Sequence, residues 1–139
     1  MFLLDTNVIS ELRRVGSGKA DARVVQWARG VETAALYLSV ICILELELGV
    51  VQMERRDALQ GATLRAWLDG QVLPAFEGRI LPVDTDVATR CARLHVPDPR
   101  AERDALIAAT ALTHGMAIVT RNELDFTGTG VAVINPWQI

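Results

Sequence analysis

Three carboxylates occupy positions at which the surrounding sequence predicts burial. Asp5 directly follows residues 2–4, which have the pattern of a short buried strand. Glu45 has apolar or small residues at i−4, i−3, i+3 and i+4, and Asp104 begins the apolar stripe of its own helix. A buried carboxylate is unfavourable unless it pairs with a cation or binds a metal ion. The alternatives are a helix N-cap for Asp5, an ion pair with Arg for Glu45, and a cap or local ion pair for Asp104.

A fourth polar cluster follows a predicted strand at residues 117–119. Thr120, Asn122 and Asp125 can face the same edge of a sheet, whereas Glu123 has the pattern of a solvated loop residue. Because the carboxyl ends of parallel strands meet at one edge, these side chains are expected to lie near the three carboxylates. The sequence therefore predicts one acidic site, built from several segments of the chain.

The chemistry of such a site follows from its donor atoms. Unpaired carboxylates a few ångströms apart repel one another, and a divalent cation removes that repulsion. Oxygen donors without His or Cys suit Mg²⁺ or Mn²⁺, and His95 and His114 match no ligand spacing. Mg²⁺ held by carboxylates is typical of phosphoryl-transfer sites, where it activates water for in-line attack on a phosphate.

The elements that must position these residues alternate between strands and helices. Strands are predicted at residues 2–4, 35–38, 79–82, 117–119 and 131–134, and helices at residues 7–14, 21–29, 40–54, 56–73, 85–94 and 101–114. Loops are predicted at residues 16–18 and 128–130, with a turn and helix start at 97–99. This order predicts an α/β fold with a mostly parallel central sheet flanked by helices.

Composition limits the class of protein. With 139 residues, half of them hydrophobic and 22% charged, the chain is expected to form one domain over residues 1–139 rather than a disordered segment. The net charge of −3 argues against a broadly basic nucleic-acid surface but not against a local basic patch, and all but one of the 14 basic residues are Arg. Cys42 and Cys91 form neither a disulfide framework nor a zinc pattern. With no signal peptide or membrane span predicted, a cytoplasmic protein is expected.

Four segments of the chain resemble the motifs of PIN-domain ribonucleases, in the same order. They are LDTNVISE at residues 4–11, the segment from Leu38 through Glu45 to Gly49, DALIAATAL at residues 104–112, and VTRN at 119–122 followed by DF at 125–126. The ending VINPW at residues 133–137 is similar to that of the VapC and FitB-like toxins. The resemblance covers nearly the whole chain.

This resemblance implies a Rossmann-like PIN domain and a Mg²⁺- or Mn²⁺-dependent endoribonuclease, the toxin of a type II toxin–antitoxin pair. Asp5, Glu45 and Asp104 match the acidic triad of the family. Asn122 stands where many relatives have a fourth acid, so Asp125 is the residue available to compensate. Three further residues, Thr6, Asn7 and Thr120, match family positions beside the acids. The segment formed by residues 94–103 is shorter than the corresponding segment of many relatives.

The resemblance also implies partners: an RNA substrate, a cognate antitoxin protein and a second copy of the chain. An antitoxin Arg placed among the acids would displace or mimic the metal. Its groove is expected between helices 7–14 and 41–54, lined by Val8, Leu12, Val50 and Val51, with Glu47 facing a basic rim. The alternative for each apolar residue is packing in the core.

Other functions are less compatible with the motifs. A phosphatase with an aspartyl nucleophile carries Asp-x-Asp after the first strand, where this chain has Asp5-Thr6-Asn7. A receiver domain needs a Lys beyond a late strand, and the only Lys is Lys19. A PIN-fold interaction module with weak or no catalysis stays open because Asn122 is an amide. Transfer, ribosomal and messenger RNA are all possible substrates.

Overall fold

The computed structural model describes residues 1–139 and contains one five-stranded sheet. The strands are β1 (Phe2–Leu4), β2 (Leu36–Ser39), β3 (Ile80–Leu81), β4 (Ala117–Val119) and β5 (Val133–Ile134). All pairs are parallel and the spatial order is β3-β2-β1-β4-β5. Phe2 on the central strand β1 is in register with Leu36 on one side and with Ala117 on the other. The predicted α/β fold with a parallel central sheet is confirmed.

Seven α-helices connect or flank these strands. They are α1 (Thr6–Arg13), α2 (Ala22–Arg29), α3 (Val40–Arg56), α4 (Ala58–Trp67), α5 (Leu73–Ala75), α6 (Thr85–Leu94) and α7 (Glu102–His114). A π-helical segment, Leu68–Val72, joins α4 to α5, and a 3-10 turn, Glu123–Phe126, follows β4. No helix combines the length and apolar character needed to cross a membrane.

Capping side chains explain where several helices begin. Asp21 accepts a hydrogen bond from the backbone N of Arg23 at 2.8 Å, and Ser39 accepts one from the backbone N of Ile41 at 3.0 Å. Each bond satisfies an N–H group that has no partner within the helix. Because Ser39 also ends β2, the chain turns directly from the sheet edge into α3, which carries Glu45.

The core forms a layer on each face of the sheet. Leu4 packs in a cluster with residues of α1, α3 and the π-helical segment, whereas its neighbour Leu3 packs with Ile107 and Ala108 of α7. Adjacent residues of a strand point to opposite faces, so β1 is covered on both sides. Helices on both faces leave only the strand ends open, which directs a binding site to the carboxyl edge.

The boundaries of some predicted elements were wrong. The helix predicted over residues 56–73 is divided into α4, the π-helical segment and α5. The loop predicted at residues 16–18 lies partly in a 3-10 turn, Arg14–Ser17. Residues 97–99 do not begin α7, which starts at Glu102 after a cis Val96–Pro97 bond. Strands β3 and β5 are shorter than predicted at two residues each.

Candidate active site

Asp5 lies at the carboxyl end of the central strand, where the chain order reverses across the sheet. Its backbone N donates to the carbonyl of Val119 at 2.9 Å, which continues the pairing of β1 with β4. Its side-chain Oδ1 accepts from the backbone N of Thr6 at 2.8 Å, so Asp5 is the N-cap of α1. The capping alternative is therefore correct, and it leaves Oδ2 directed toward other polar groups.

The second carboxylate oxygen of Asp5 is held by Thr120 and Asn7. Thr120 Oγ1 donates to Asp5 Oδ2 at 2.8 Å, and Asn7 Nδ2 approaches the same oxygen at 3.3 Å. The backbone N of Arg121 donates to Asn7 Oδ1 at 3.2 Å, which orients the amide. Burial raises the pKa of Asp5 and the Thr120 hydrogen bond opposes this, with a net upward shift. Asp5 is thus a buried, rigidly oriented carboxylate.

Glu45 lies at the rim of the buried face of α3 rather than within it. Ile41 and Cys42 are buried, but Leu48 and Gly49 on the following turn are exposed, which corrects the prediction of an apolar environment on both sides. Thr6 Oγ1 donates to Glu45 Oε1 at 2.7 Å. Arg103 Nη1 is 3.6 Å from Glu45 Oε2, so the predicted ion-pair alternative is present too.

Asp104, in the first turn of α7, makes no hydrogen bond or ion pair through its side chain, and the same holds for Asp125. Its pKa is raised to about 6, chiefly by burial and then by the charges of Asp125, Asp5 and Glu45, against a lowering effect of Arg103. Four acids from separate segments therefore act on one another electrostatically. Arg103 offsets this repulsion only in part, and a divalent cation would remove the rest.

The 3-10 turn after β4 brings Asn122 and Asp125 to the same place. The backbone N of Asn122 donates to Thr120 Oγ1 at 3.0 Å, and the backbone N of Asp125 donates to the Asn122 carbonyl at 3.1 Å. Glu123 instead accepts from Asn135 Nδ2 at 3.3 Å and does not line the cleft. The turn thus separates a cleft-facing acid from a neighbouring acid that faces elsewhere.

These residues surround a cleft of about 660 Å³. Its acidic wall consists of Asp5, Glu11, Glu45, Asp104 and Asp125, and its basic residues are Arg13, Arg14 and Arg121. Sequence reasoning missed Glu11 and the three arginines. The sequence contained a signal for two of these four, Glu11 and Arg14. Together with Asn7 and Ser10 they follow the helical spacing i, i+3, i+4 and i+7, which predicts a single polar face.

The apolar groove is not where the sequence suggested. Val8 and Val50 are 0% and 2% exposed and belong to the core, so neither can line an open groove. Leu12 lines a groove of about 940 Å³ between α1 and the α4–α5 segment, together with Ala66 and Trp67. No residue of α3 lines this groove, so it does not lie between α1 and α3 as predicted.

The other two predicted groove residues lie on the surface of α3. Val51 is 50% exposed and lines neither the groove nor the cleft. Glu47 does not present a free charge to a partner, since Arg65 Nη1 lies 2.7 Å from its Oε1. The same guanidinium also contacts Glu54 at 3.1 Å, which ties α4 to α3.

A second cluster of potential ligands lies outside the cleft. Cys91, His95 and Glu102 place one donor atom each within 4.8 Å of one another, although the sequence spacing did not indicate a site at His95. The backbone N of Arg100 donates to His95 Nδ1 at 3.0 Å, so the proton of the neutral ring is on Nε2, which faces Glu102 Oε2 at 3.4 Å. A protonated Nε2 has no lone pair for a metal, so this arrangement is a hydrogen-bonded cluster.

Comparisons with known proteins agree with the fold and the motifs. The profile of the PIN domain family matches residues 2–128. The chain is 38% identical to VapC ribonuclease Y4jK of Sinorhizobium fredii and 39% identical to Toxin FitB of Neisseria gonorrhoeae, in each case over 99% of both chains. It superimposes on the crystal structure of FitAcB from Neisseria gonorrhoeae with a TM-score of 0.90, at 38% identity over 100% of both chains.

Proposed function

The chain belongs to the PIN-domain family, and on that premise we propose that it is a Mg²⁺- or Mn²⁺-dependent endoribonuclease, the toxin of a type II toxin–antitoxin pair. The observation that carries the proposal is the cleft at the carboxyl edge of the sheet, in which Asp104 has no partner and several acids repel one another. A cytoplasmic location follows from the proposal, because the RNA substrate and the antitoxin are found there.

The residues of the cleft fit a hard divalent cation. Carboxylate oxygens are available from Asp5, Glu45 and Asp104. Asp125 and the side-chain amide oxygen of Asn122 line the same cleft. No His or Cys lines the cleft, and oxygen-only donors favour Mg²⁺ or Mn²⁺ over Zn²⁺. A bound cation of this kind supplies Lewis-acid chemistry, polarising a water for attack on a phosphodiester and stabilising charge on its oxygens.

The chain's own hydroxyl and amide groups hold the acids in place. Thr6 and Thr120 each donate a hydrogen bond to a carboxylate, at 2.7 and 2.8 Å, so they orient Glu45 and Asp5. Asn7 links Thr120 to Asp5 through its amide. Orientation of ligands in advance reduces the entropy that must be lost when cation and substrate bind. Asp104, which accepts no such bond, is left with both oxygens available.

The surface beside the cleft supports the proposed antitoxin partner. Arg13 lines both the acidic cleft and the apolar groove, so the two cavities adjoin at the end of α1. An amphipathic segment in the groove could therefore extend a basic side chain into the cleft. The contact of Arg103 with Glu45 indicates that a guanidinium can be accommodated beside these acids.

A second copy of the chain is the other proposed protein partner. Leu44, Leu48 and Val51 are 48%, 39% and 50% exposed and follow i, i+4, i+7 spacing on α3. Large apolar side chains aligned on one exposed helix face are typical of an interface. In the proposed homodimer, this face of α3 would pack against the same face of α3 in the second copy, as in an isologous interface.

Cleavage assays on labelled RNA test the nuclease proposal. The native protein should cleave single-stranded RNA with Mg²⁺ or Mn²⁺, fail to do so in EDTA, and leave DNA of the same sequence intact. Asp5→Asn, Glu45→Gln and Asp104→Asn should each abolish cleavage with the fold unchanged by circular dichroism. The matched control is Asp98→Asn, in an exposed loop outside the cleft.

Two results would count against the proposal. Full activity in one of the three amide variants would remove that residue from the metal-binding set. Absence of cleavage by the native protein with both metals, combined with tight binding to a protein partner, would favour the interaction module, for which the amide at Asn122 is the supporting feature.

A further inference from the structure

Arg121 is a cation held in a fixed place on the wall of the acidic cleft. It directly follows Thr120 at the carboxyl end of β4. Its backbone N donates to Asn7 Oδ1 at 3.2 Å, and its carbonyl accepts from Asn135 Nδ2 at 3.5 Å. The backbone is therefore tied on both sides, to α1 and to the chain segment that follows β5.

The side chain of Arg121 is also placed. Its guanidinium carbon lies 5.4 Å from the centroid of the Trp137 ring, within the range of a cation–π contact. Trp137 is only 6% exposed, so the ring is a rigid support. This contact uses one face of the guanidinium and leaves the N–H groups at its edge free, because none of them donates a hydrogen bond within the protein.

The guanidinium is not neutralised, although acids line the same cleft. No carboxylate oxygen lies within 4.0 Å of Arg121, whereas Arg14 lies 3.5 Å from Glu11 and Arg103 lies 3.6 Å from Glu45. An arginine retained only to balance the acidic cluster would be paired with it. A cation that is supported, unpaired and open to the cleft is arranged for an anion that arrives from outside.

We propose that Arg121 binds a phosphate group of the RNA strand and positions the strand over the acidic residues. The inference rests on the proposed nuclease function and identifies the residue that compensates the repulsion between RNA and the acids. Guanidinium donors match phosphate oxygens bidentately, and Trp137 orients them before the substrate arrives. The anionic strand then contacts both the positive charge of Arg121 and the proposed cation site within the same cleft.

The test measures RNA binding separately from cleavage. In an Asp5→Asn background, which is expected to be inactive, the affinity for a fluorescein-labelled single-stranded RNA is measured by anisotropy between 50 and 200 mM KCl. Arg121→Gln should weaken binding roughly tenfold, as expected for loss of charge-assisted hydrogen bonds. It should also reduce the slope of log affinity against log salt by about 0.7, the value for one phosphate contact on a single strand.

Three controls separate phosphate binding from other roles. Arg121→Lys should keep the salt slope while losing part of the affinity, because the charge remains and the bidentate geometry does not. Arg90→Gln, which removes an exposed and unpaired Arg on α6, should change neither quantity. Calorimetric Mn²⁺ binding to Arg121→Gln in the otherwise native protein should be unchanged, which a disturbed acidic site would not allow.

The possible outcomes are distinct. If the native protein cleaves RNA and Arg121→Gln shows the native RNA affinity and salt slope, the inference is wrong and the nuclease proposal stands. If Arg121→Gln weakens only the binding of a protein partner, the residue serves that partner's carboxylates and the inference is wrong as well. If the native protein neither binds nor cleaves RNA, both proposals fail.

Discussion

Asp104 shows how a single side chain can be unfavourable for the fold and suited to the site. A Thr hydroxyl donates a hydrogen bond to each of Asp5 and Glu45, but Asp104 has no such donor, and only the charge of Arg103 opposes its repulsion by the other acids. A hydroxyl or amide partner would stabilise the metal-free protein while occupying a lone pair that a cation needs. The cost to folding and the capacity to bind a cation thus have the same origin.

A pH-dependent stability follows from this residue. The folded-state pKa of Asp104 is about 6, above its ordinary value of 3.8, so its charged form disfavours the folded state above pH 6. Lowering the pH through 6 toward 4 relieves that penalty. In EDTA at pH 7.5, Asp104→Asn should therefore raise the melting temperature, by no more than about 4 °C because Asp104 is half-buried and screened by solvent.

The gain should disappear near pH 4, where native Asp104 is itself largely protonated. Asp98→Asn, on the exposed loop, should give no shift at either pH. A pH-independent gain for Asp104→Asn would mean that packing of the amide, rather than relief of repulsion, stabilises the variant.

The amide at Asn122 defines a second experiment at the residue scale. Asn122→Asp should tighten Mn²⁺ binding several-fold, since it adds a charged oxygen donor to the cleft. Asp125→Ala should reduce cleavage more than Glu123→Ala, because Asp125 lines the cleft and Glu123 contacts Asn135. Calorimetry and initial cleavage rates measure the two effects. Equal losses of cleavage rate in the two alanine variants would mean that Asp125 contributes only to the structure of the turn and not to the cation site.

The residues of the cleft were predictable where a polar side chain interrupts an apolar pattern. Asp5 after a buried strand and Asp104 at the start of an apolar stripe are cases of this kind. The pattern could not separate Val8, in the core, from Leu12, on the groove, because core and groove select the same apolar residue types. Arg121 escaped prediction because an arginine beside a loop has no distinguishing context until Trp137 is placed next to it.

At the scale of elements, the hairpin of α3 and α4 fixes the helix that carries Glu45. A Cβ atom on Gly61 would lie 2.4 Å from Glu54 Cα, so the two helices are in backbone contact at this point. Arg65 of α4 reinforces the contact by pairing with both Glu47 and Glu54 of α3. The helix that presents Glu45 is thus held in place from the side remote from the cleft.

Substitution of two glycines tests this close contact. Gly61→Ala should lower the free energy of unfolding by about 1–3 kcal/mol, because the added methyl group meets backbone atoms that cannot rotate away. Gly49→Ala, on α3 where an added methyl group would meet open space, should instead raise it by about 0.5–1 kcal/mol through helix propensity. Urea unfolding measures both values. A neutral Gly61→Ala would indicate that the hairpin can open without loss of stability.

Element boundaries were predictable where local signals and tertiary contacts agree. Residues 85–94 form α6 as predicted, with Asp84 as N-cap accepting from the backbone N of Val87 at 3.0 Å. The π-helical segment at Leu68–Val72 has no such local signal; its Leu68 and Val72 belong to the main core cluster, so tertiary packing contributes to its conformation. Strand β5 is limited to Val133–Ile134, although the carbonyl of Ala132 still accepts from the backbone N of Ile118 at 2.8 Å.

For the whole molecule, the position of α1 relates the two cavities. One flank of this helix lines the acidic cleft and the other lines the apolar groove, and Arg13 contributes to both. A partner that binds along α1 can therefore bury apolar surface and reach the acids at the same time. Inhibition of the nuclease would then result from occupation of the cleft itself.

Binding of the antitoxin to variants of each cavity tests this arrangement. The partner is the product of a small basic reading frame expected immediately upstream of the gene for this chain. Asp5→Ala and Glu45→Ala should each weaken binding in calorimetry, because the partner's Arg loses a charge-assisted bond. Ala66→Glu should weaken it as well, since it places a charge in the apolar groove, whereas Ala92→Glu, exposed on α6, should not.

Loss of affinity with Ala66→Glu alone would mean that the antitoxin occupies the groove and covers the cleft without entering it. Unchanged affinity in all four variants would place the antitoxin on a different surface, such as the exposed stripe of α3.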